Sequence, residues 1–151
     1  MKHKRAGFSM LELVLIAVFL GIFAIIAVPR LNYAAISKQK ADSTAKKIVA
    51  DLRLTRSLAI SDAANNNDGF KLEMVGSDPY TGYEIENRDT HEVVASYTID
   101  ADVTCSGDDK FEFGPLGNLK NSDDQLTVTA EGKSFTITII RATGIVKCTE
   151  N

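Results

Sequence analysis

The hydrophobic pattern of this chain changes period twice. From Phe8 to Val28 the residues are apolar except for scattered small or polar ones and a single charge, Glu12. Read as a helix rising 1.5 Å per residue, that run would reach about 30 Å, the thickness of a bilayer core. From Arg30 to about Ala64, apolar or small residues recur at Ala41, Ala45, Ile48, Val49, Leu52, Ala59, Ile60 and Ala63. Their three-and-four spacing predicts an amphipathic helix, with Lys38, Lys40, Lys46, Lys47, Asp51 and Arg53 on the remainder. Asn65-Asn66-Asn67-Asp68-Gly69 ends it, because Asn and Gly tolerate the left-handed cap conformation.

Beyond Gly69 the period becomes two. Alternation runs through residues 70–75, 83–86, 94–99, 126–129 and 135–139, with short runs at 111–113 and 145–148. Turn-forming stretches separate them: Gly76-Ser77-Asp78-Pro79, Arg88-Asp89-Thr90, Gly107-Asp108-Asp109, Glu131-Gly132-Lys133 and Ala142-Thr143-Gly144. The predicted fold class is α+β. A long bent N-terminal helix, with a membrane-crossing apolar half and an amphipathic half, packs on an antiparallel β-sandwich or curled sheet of about seven strands. The strands need the helix, because a small β-domain has little core of its own.

Charge sharpens the reading of the amino end. Lys2, Lys4 and Arg5 precede the apolar run and Arg30 follows it. The denser cluster places the amino end in the cytoplasm and the carboxyl domain outside. A secretory signal peptide also has a basic start and an apolar centre, but here the run is long and no clean small-x-small site closes it. A carboxylate inside such a segment costs roughly 2.5–3.5 kcal/mol, so Glu12 calls for a partner. The bland alternative places it at headgroup level, solvated.

Gly7-Phe8-Ser9-Met10-Leu11-Glu12, behind a basic leader and ahead of Pro29, resembles the prepilin peptidase site of type IV pilins and type II secretion pseudopilins. The resemblance implies a leader of residues 1–7, cleavage between Gly7 and Phe8, and N-methylation of Phe8. It implies an assembly helix over 8–29, an amphipathic continuation over 30–64, and a periplasmic β-rich domain over 70–151. Pro29 becomes the helix kink, or otherwise a plain boundary. Glu12 gains a physical role. Cleavage would free an α-amino group with a reference pKa of about 7.7–8, and Glu12 of one subunit would neutralise that amine on a neighbour.

A second resemblance covers Phe111-Glu112-Phe113-Gly114-Pro115-Leu116-Gly117 and Ile139-Ile140-Arg141-Ala142-Thr143-Gly144-Ile145-Val146. These are similar to the aromatic-x-Pro-x-Gly turn and the terminal Thr-Gly of the GspH/FimT class of minor pilins. Two ordinary loops would also use these residues. Cys105 and Cys148 are the only cysteines. In an exported domain an even pair favours a disulfide, with two reduced thiols as the alternative.

Composition narrows the function classes. The chain is formally −3, and loss of Lys2, Lys4 and Arg5 would leave −6. That balance disfavours nucleic-acid binding, and Arg141 and Lys147 are too few for a basic patch. His91-Glu92 starts like a zinc motif, but position 95 is alanine. Asp108-Asp109 and Asp123-Asp124 read as solvated loop carboxylates rather than a calcium site. No catalytic residue, metal or cofactor is expected. The resemblance implies a minor pilin or pseudopilin at or near a filament tip, in the inner membrane before extraction. Its partners would be other pilins, the prepilin peptidase and an inner-membrane assembly platform. A single-pass anchored binding protein, a DNA-uptake component and a secreted enzyme are the rival readings.

Overall fold

The structure, a computed structural model, describes residues 9–27 and 33–151. The leader, Phe8 and the expected kink at Pro29 lie outside the described residues. The chain forms two compact units, Met1–Tyr33 and Ala34–Asn151.

The first unit contains helix α1, Met10–Ala27. Its 18 residues span about 27 Å at the usual rise. The first turn holds Glu12, so the uninterrupted apolar stretch, Leu13–Ala27, covers only about 22 Å of a roughly 30 Å core. Among the described residues no helix is long and apolar enough to cross a membrane. The expected membrane-crossing half of a single long helix is therefore corrected: the described residues form two helices, and neither is both long and apolar enough to cross.

The second unit begins with helix α2, Tyr33–Ser61. Ala41, Ala45, Ile48, Val49, Leu52 and Ala59 are buried as the periodicity predicts, while Ile60 is exposed. Three polar residues share the buried face: Thr44, Asp51 and Thr55. Thr55 Oγ1 donates to the Asp51 carbonyl at 2.7 Å. The Asp51 carboxylate accepts from Lys47 Nζ at 2.7 Å and from Tyr83 Oη at 2.6 Å. Burial and this carboxylate together raise the Tyr83 pKa.

Eight strands follow, one more than expected: β1 (Phe70–Val75), β2 (Gly82–Asn87), β3 (Val93–Thr98), β4 (Thr104–Gly107), β5 (Lys110–Phe113), β6 (Gln125–Ala130), β7 (Lys133–Ile140) and β8 (Ile145–Glu150). They form two four-stranded sheets in the orders β3-β2-β1-β5 and β4-β6-β7-β8, and every pairing is antiparallel. The chain thus crosses between sheets at β4 and returns at β5. Period-two burial in β1, β6 and β7 sends Leu72, Met74, Leu126, Val128, Ile137 and Ile139 inward. These side chains, Phe111 and Phe113 form one core with the α2 face.

The turn from α2 into β1 is fixed by one buried side chain. Asn66 Oδ1 accepts from the N–H groups of Asp68 and Gly69, at 3.0 and 2.7 Å. Its Nδ2 donates to the Gly69 carbonyl and to Asn87 Oδ1, at 2.9 and 2.8 Å. A fully bonded polar group is tolerated inside a core, where a bare one would cost about 1–3 kcal/mol.

The expected Cys105–Cys148 disulfide is not formed; both thiols are free. Cys105 is on β4 and Cys148 on β8, the two outer strands of one sheet. Three strand spacings amount to about 14 Å, twice the ~7 Å that a bridge tolerates between Cα atoms. Burial, with the charge of Asp78 adding to it, pushes the Cys105 thiol up to about 12. In the unfolded chain the same thiol ionises near its ordinary value of about 8.5. Between those values the unfolded state binds fewer protons, so stability contributed by the neutral thiol is lost as pH rises. Urea unfolding at about pH 9 and about pH 11 should show Cys105→Ala losing about 2 kcal/mol less than the parent protein. Equal losses in both proteins would show that this thiol does not titrate with unfolding.

Candidate functional site

Two regions carry the motifs singled out above, and each is built differently. The first is α1. Ser9 caps it: the Leu11 N–H reaches Ser9 Oγ at 3.3 Å, and the Glu12 and Leu13 N–H groups reach the Ser9 carbonyl at 3.0 and 3.2 Å. Glu12 is then the third helical residue, where a carboxylate complements the exposed N–H groups of the first turn. The Ser-x-x-Glu spacing is a second, local signal in the motif, and it places the Glu12 charge at the helix start beside any pairing role.

No side chain from Ser9 to Phe23 is buried. Met10 is 87% exposed, Leu11 75%, Leu20 65% and Phe23 67%. The apolar residues do not fall on one stripe; Leu13, Val14, Leu15, Ile16, Val18 and Phe19 are also exposed, which covers every direction around the axis. A helix that is hydrophobic all round is normally buried. Glu12 is exposed beside them.

The second region joins the two loops of the minor-pilin-like motif. Gly114–Gly117 closes a tight turn, the Gly117 N–H donating to the Gly114 carbonyl at 2.8 Å. Gly144 ends the β7–β8 turn with φ +64°, and a Cβ there would stand 1.9 Å from the Gly117 carbonyl oxygen. Arg56 of α2 donates from Nε to that same oxygen at 3.0 Å. Close backbone approach thus requires Gly144, whereas Gly117, at φ +75°, lies against the Ile60 and Arg56 side chains of α2. The residues lie far apart in sequence, and their meeting point was not legible from the motif alone.

The remaining candidates are engaged in structure. Asp108 Oδ2 accepts from the N–H groups of Asp124 and Gln125 at 2.8 and 2.9 Å, tying the β4–β5 turn to β6. Asp124 accepts from Arg141 Nε at 3.1 Å, and Arg141 also reaches the Ser122 carbonyl. His91 Nδ1 lies 2.9 Å from Glu86 Oε1, and this contact, with Lys71, lowers the Glu86 pKa. Among the described residues no group of His, Cys, Asp or Glu is gathered to hold a metal. Lys147 is exposed on β8. No protein-family model, curated protein or solved structure compared with this chain matches it.

The glycine contact generates a paired test. Gly144→Ala meets both the left-handed φ and the Gly117 oxygen, and should cost about 2–5 kcal/mol. Gly132→Ala, at φ +77° but in open space, meets only the first and should cost about 1–2 kcal/mol. Thermal or urea unfolding of the two variants measures the difference; equal costs would remove the loop-on-loop contact.

Proposed function

We propose that this chain is a structural subunit of a type IV pilin-like filament, a minor pilin or pseudopilin of the GspH/FimT kind. The observation that carries this reading is α1: apolar on every side, uncovered from Met10 to Phe23, with one acid in its first turn. Apolar surface of that extent is stable in water only when another body covers it. The like helices of neighbouring subunits have the matching chemistry. Packed side by side, each α1 removes its neighbours' side chains from water, and burying a Leu, Ile or Phe side chain is worth about 1.5–3 kcal/mol.

The leader fits the same reading. Cleavage after Gly7 by a prepilin peptidase would bring a new amino terminus within one helical turn of the Glu12 level. Glu12 of one subunit would then face the α-amino group of the next, methylated on Phe8. The pair sets axial register, since a shift of one turn separates the charges in a low-dielectric bundle. The β-domain would be displayed on the extracytoplasmic side of the cell envelope. Its place is at or near the tip of a pilus or secretion pseudopilus, where it primes assembly. The chain performs no reaction of its own in this reading.

The test is a pair of substitutions in the native host. Intact mass of the parent protein should show loss of residues 1–7 and gain of one methyl group. Glu12→Ala should still be cut after Gly7 but disappear from the filament fraction, because an unpaired buried charge costs about 3–5 kcal/mol. Ser9→Ala removes the cap, at about 0.5–2 kcal/mol, yet keeps the carboxylate, so it should still assemble. A mature protein that retains Met1 sinks the filament reading. Assembly of Glu12→Ala at parental levels sinks the charge pair, and failure of Ser9→Ala alone would assign Glu12's surroundings to capping.

A further inference from the structure

Two four-stranded sheets present four edges; two of them are closed and a third is charged. At β5, the Glu112 N–H donates to Asn121 Oδ1, Asn121 Nδ2 donates to the Lys110 carbonyl at 2.6 Å, and the Lys120 N–H donates to the Glu112 carbonyl at 2.7 Å. Leu119 bridges Phe113 beside them. At β4, Tyr80 takes both outer carbonyls: its N–H donates to Cys105 at 2.8 Å and its hydroxyl to Gly107 at 2.7 Å. At β8, Arg53 Nη2 reaches the Val146 carbonyl at 3.4 Å, and Lys147 and Glu150 add the charges that discourage strand pairing.

The fourth edge is β3, and nothing of the kind protects it. Val93-Val94-Ala95-Ser96-Tyr97-Thr98 contains no charge, no proline and no glycine. Among the described residues, its backbone makes no hydrogen bond outside the ladder with β2. Val93 and Val94 are 48% and 49% exposed. A bulge at Ile85/Glu86 disturbs only the Val93 end; Ala95–Thr98 pair in regular register with Gly82–Ile85. Ala95 and Tyr97 pack toward the core, which leaves Val94, Ser96 and Thr98 on the outer face. An uncharged, regular, open edge is a template for a further strand.

We infer that β3 is a strand-addition surface whose partner is β3 of a second copy, paired antiparallel across a two-fold axis. The occupant follows from the other edges. In a second copy, β4, β5 and β8 are closed or charged, so β3 is the edge left for β3 to meet. An antiparallel pair of identical strands satisfies two-fold symmetry by construction. Like residues near the axis face each other, and the absence of charge makes that meeting free of repulsion. The two sheets would join into one eight-stranded sheet. A polar helical array contains no two-fold axis across its length, so this contact joins unassembled subunits or two separate arrays. It is therefore independent of the assembly role proposed for α1.

The experiment is disulfide trapping in the full-length purified chain with exposed Cys148 replaced by serine. Single cysteines replace Val94, Ser96 and Thr98 in turn, and a mild oxidant is added. A two-fold antiparallel pair places only residues near the axis opposite their own copies. The covalent dimer should therefore be at least about fivefold stronger at one position than at the other two. Lysine at whichever of these three outer-face positions traps most strongly (Val94→Lys, Ser96→Lys or Thr98→Lys) places like charges across the axis and should reduce noncovalent dimer in sedimentation about tenfold or more, with the monomer still folded. Equal trapping at all three positions means random collision and overturns the proposal. So does no trapping at any, or an undiminished dimer in the lysine variant, or, in host extracts, trapping of a different protein in place of a second copy.

Discussion

Everything in the 34–151 unit depends on α2 being shared by both sheets. Neither four-stranded sheet can close a core on its own inner face. The helix reaches each through different residues. Asp51 and Lys47 meet Tyr83 and Tyr97 of the β3-β2-β1-β5 sheet. Arg53 reaches β8 of the other, and Arg56 reaches the Gly117 turn that leads between them. Ala41, Ala45 and Ala59 keep the face narrow enough for strands to approach from two directions. Asp51 is the costly member of that face. It is tolerable because two donors meet its carboxylate, one of them the half-exposed Lys47 ammonium.

The sheets are then laced together along their borders by backbone and side-chain hydrogen bonds. Asp108 ties the β4–β5 crossing to the start of β6. Residues 119–121 serve both sides, with the Lys120 N–H on Glu112 and the Leu119 N–H on Arg141. Each such bond contributes only about 1 kcal/mol net. Their value is in register: they fix where one sheet ends against the other, and the Gly117–Gly144 contact depends on that placement.

Much of this was legible in the sequence because its strands alternate strongly. Phe70–Val75 and Phe135–Ile139 bury every second residue as the pattern requires. β4 escaped because Thr104-Cys105-Ser106-Gly107 has one buried side chain and no alternation of bulky groups; it is a strand because β6 offers it an edge. The buried Asp51, Thr44 and Thr55 escaped for a related reason, since polar residues on an apolar stripe are read as its boundary. The disulfide failed because cysteine count carries no distance: two strands, β6 and β7, stand between the thiols. The membrane-crossing expectation failed because, among the described residues, no helix combines the length and the apolar character that a crossing needs. At the candidate sites, the glycines were visible as a motif, but the partner that holds them, Arg56, carries no signature that separates it from any surface arginine.

The way the chain enters the domain has a mechanical consequence. Tension applied at the Tyr33 end of α2 acts along the helix axis, and α2 passes straight into β1 through the Asn66 turn. The lateral ties at Asp51, Arg53 and Arg56 lie along the helix rather than at its end, so axial load strains them in parallel. Bonds loaded in parallel share force and break together, whereas bonds peeled from one end break singly under a much smaller pull. The domain is thus anchored most firmly against force arriving along its own helix, and least firmly against a pull that lifts β8 from the sheet's outer border.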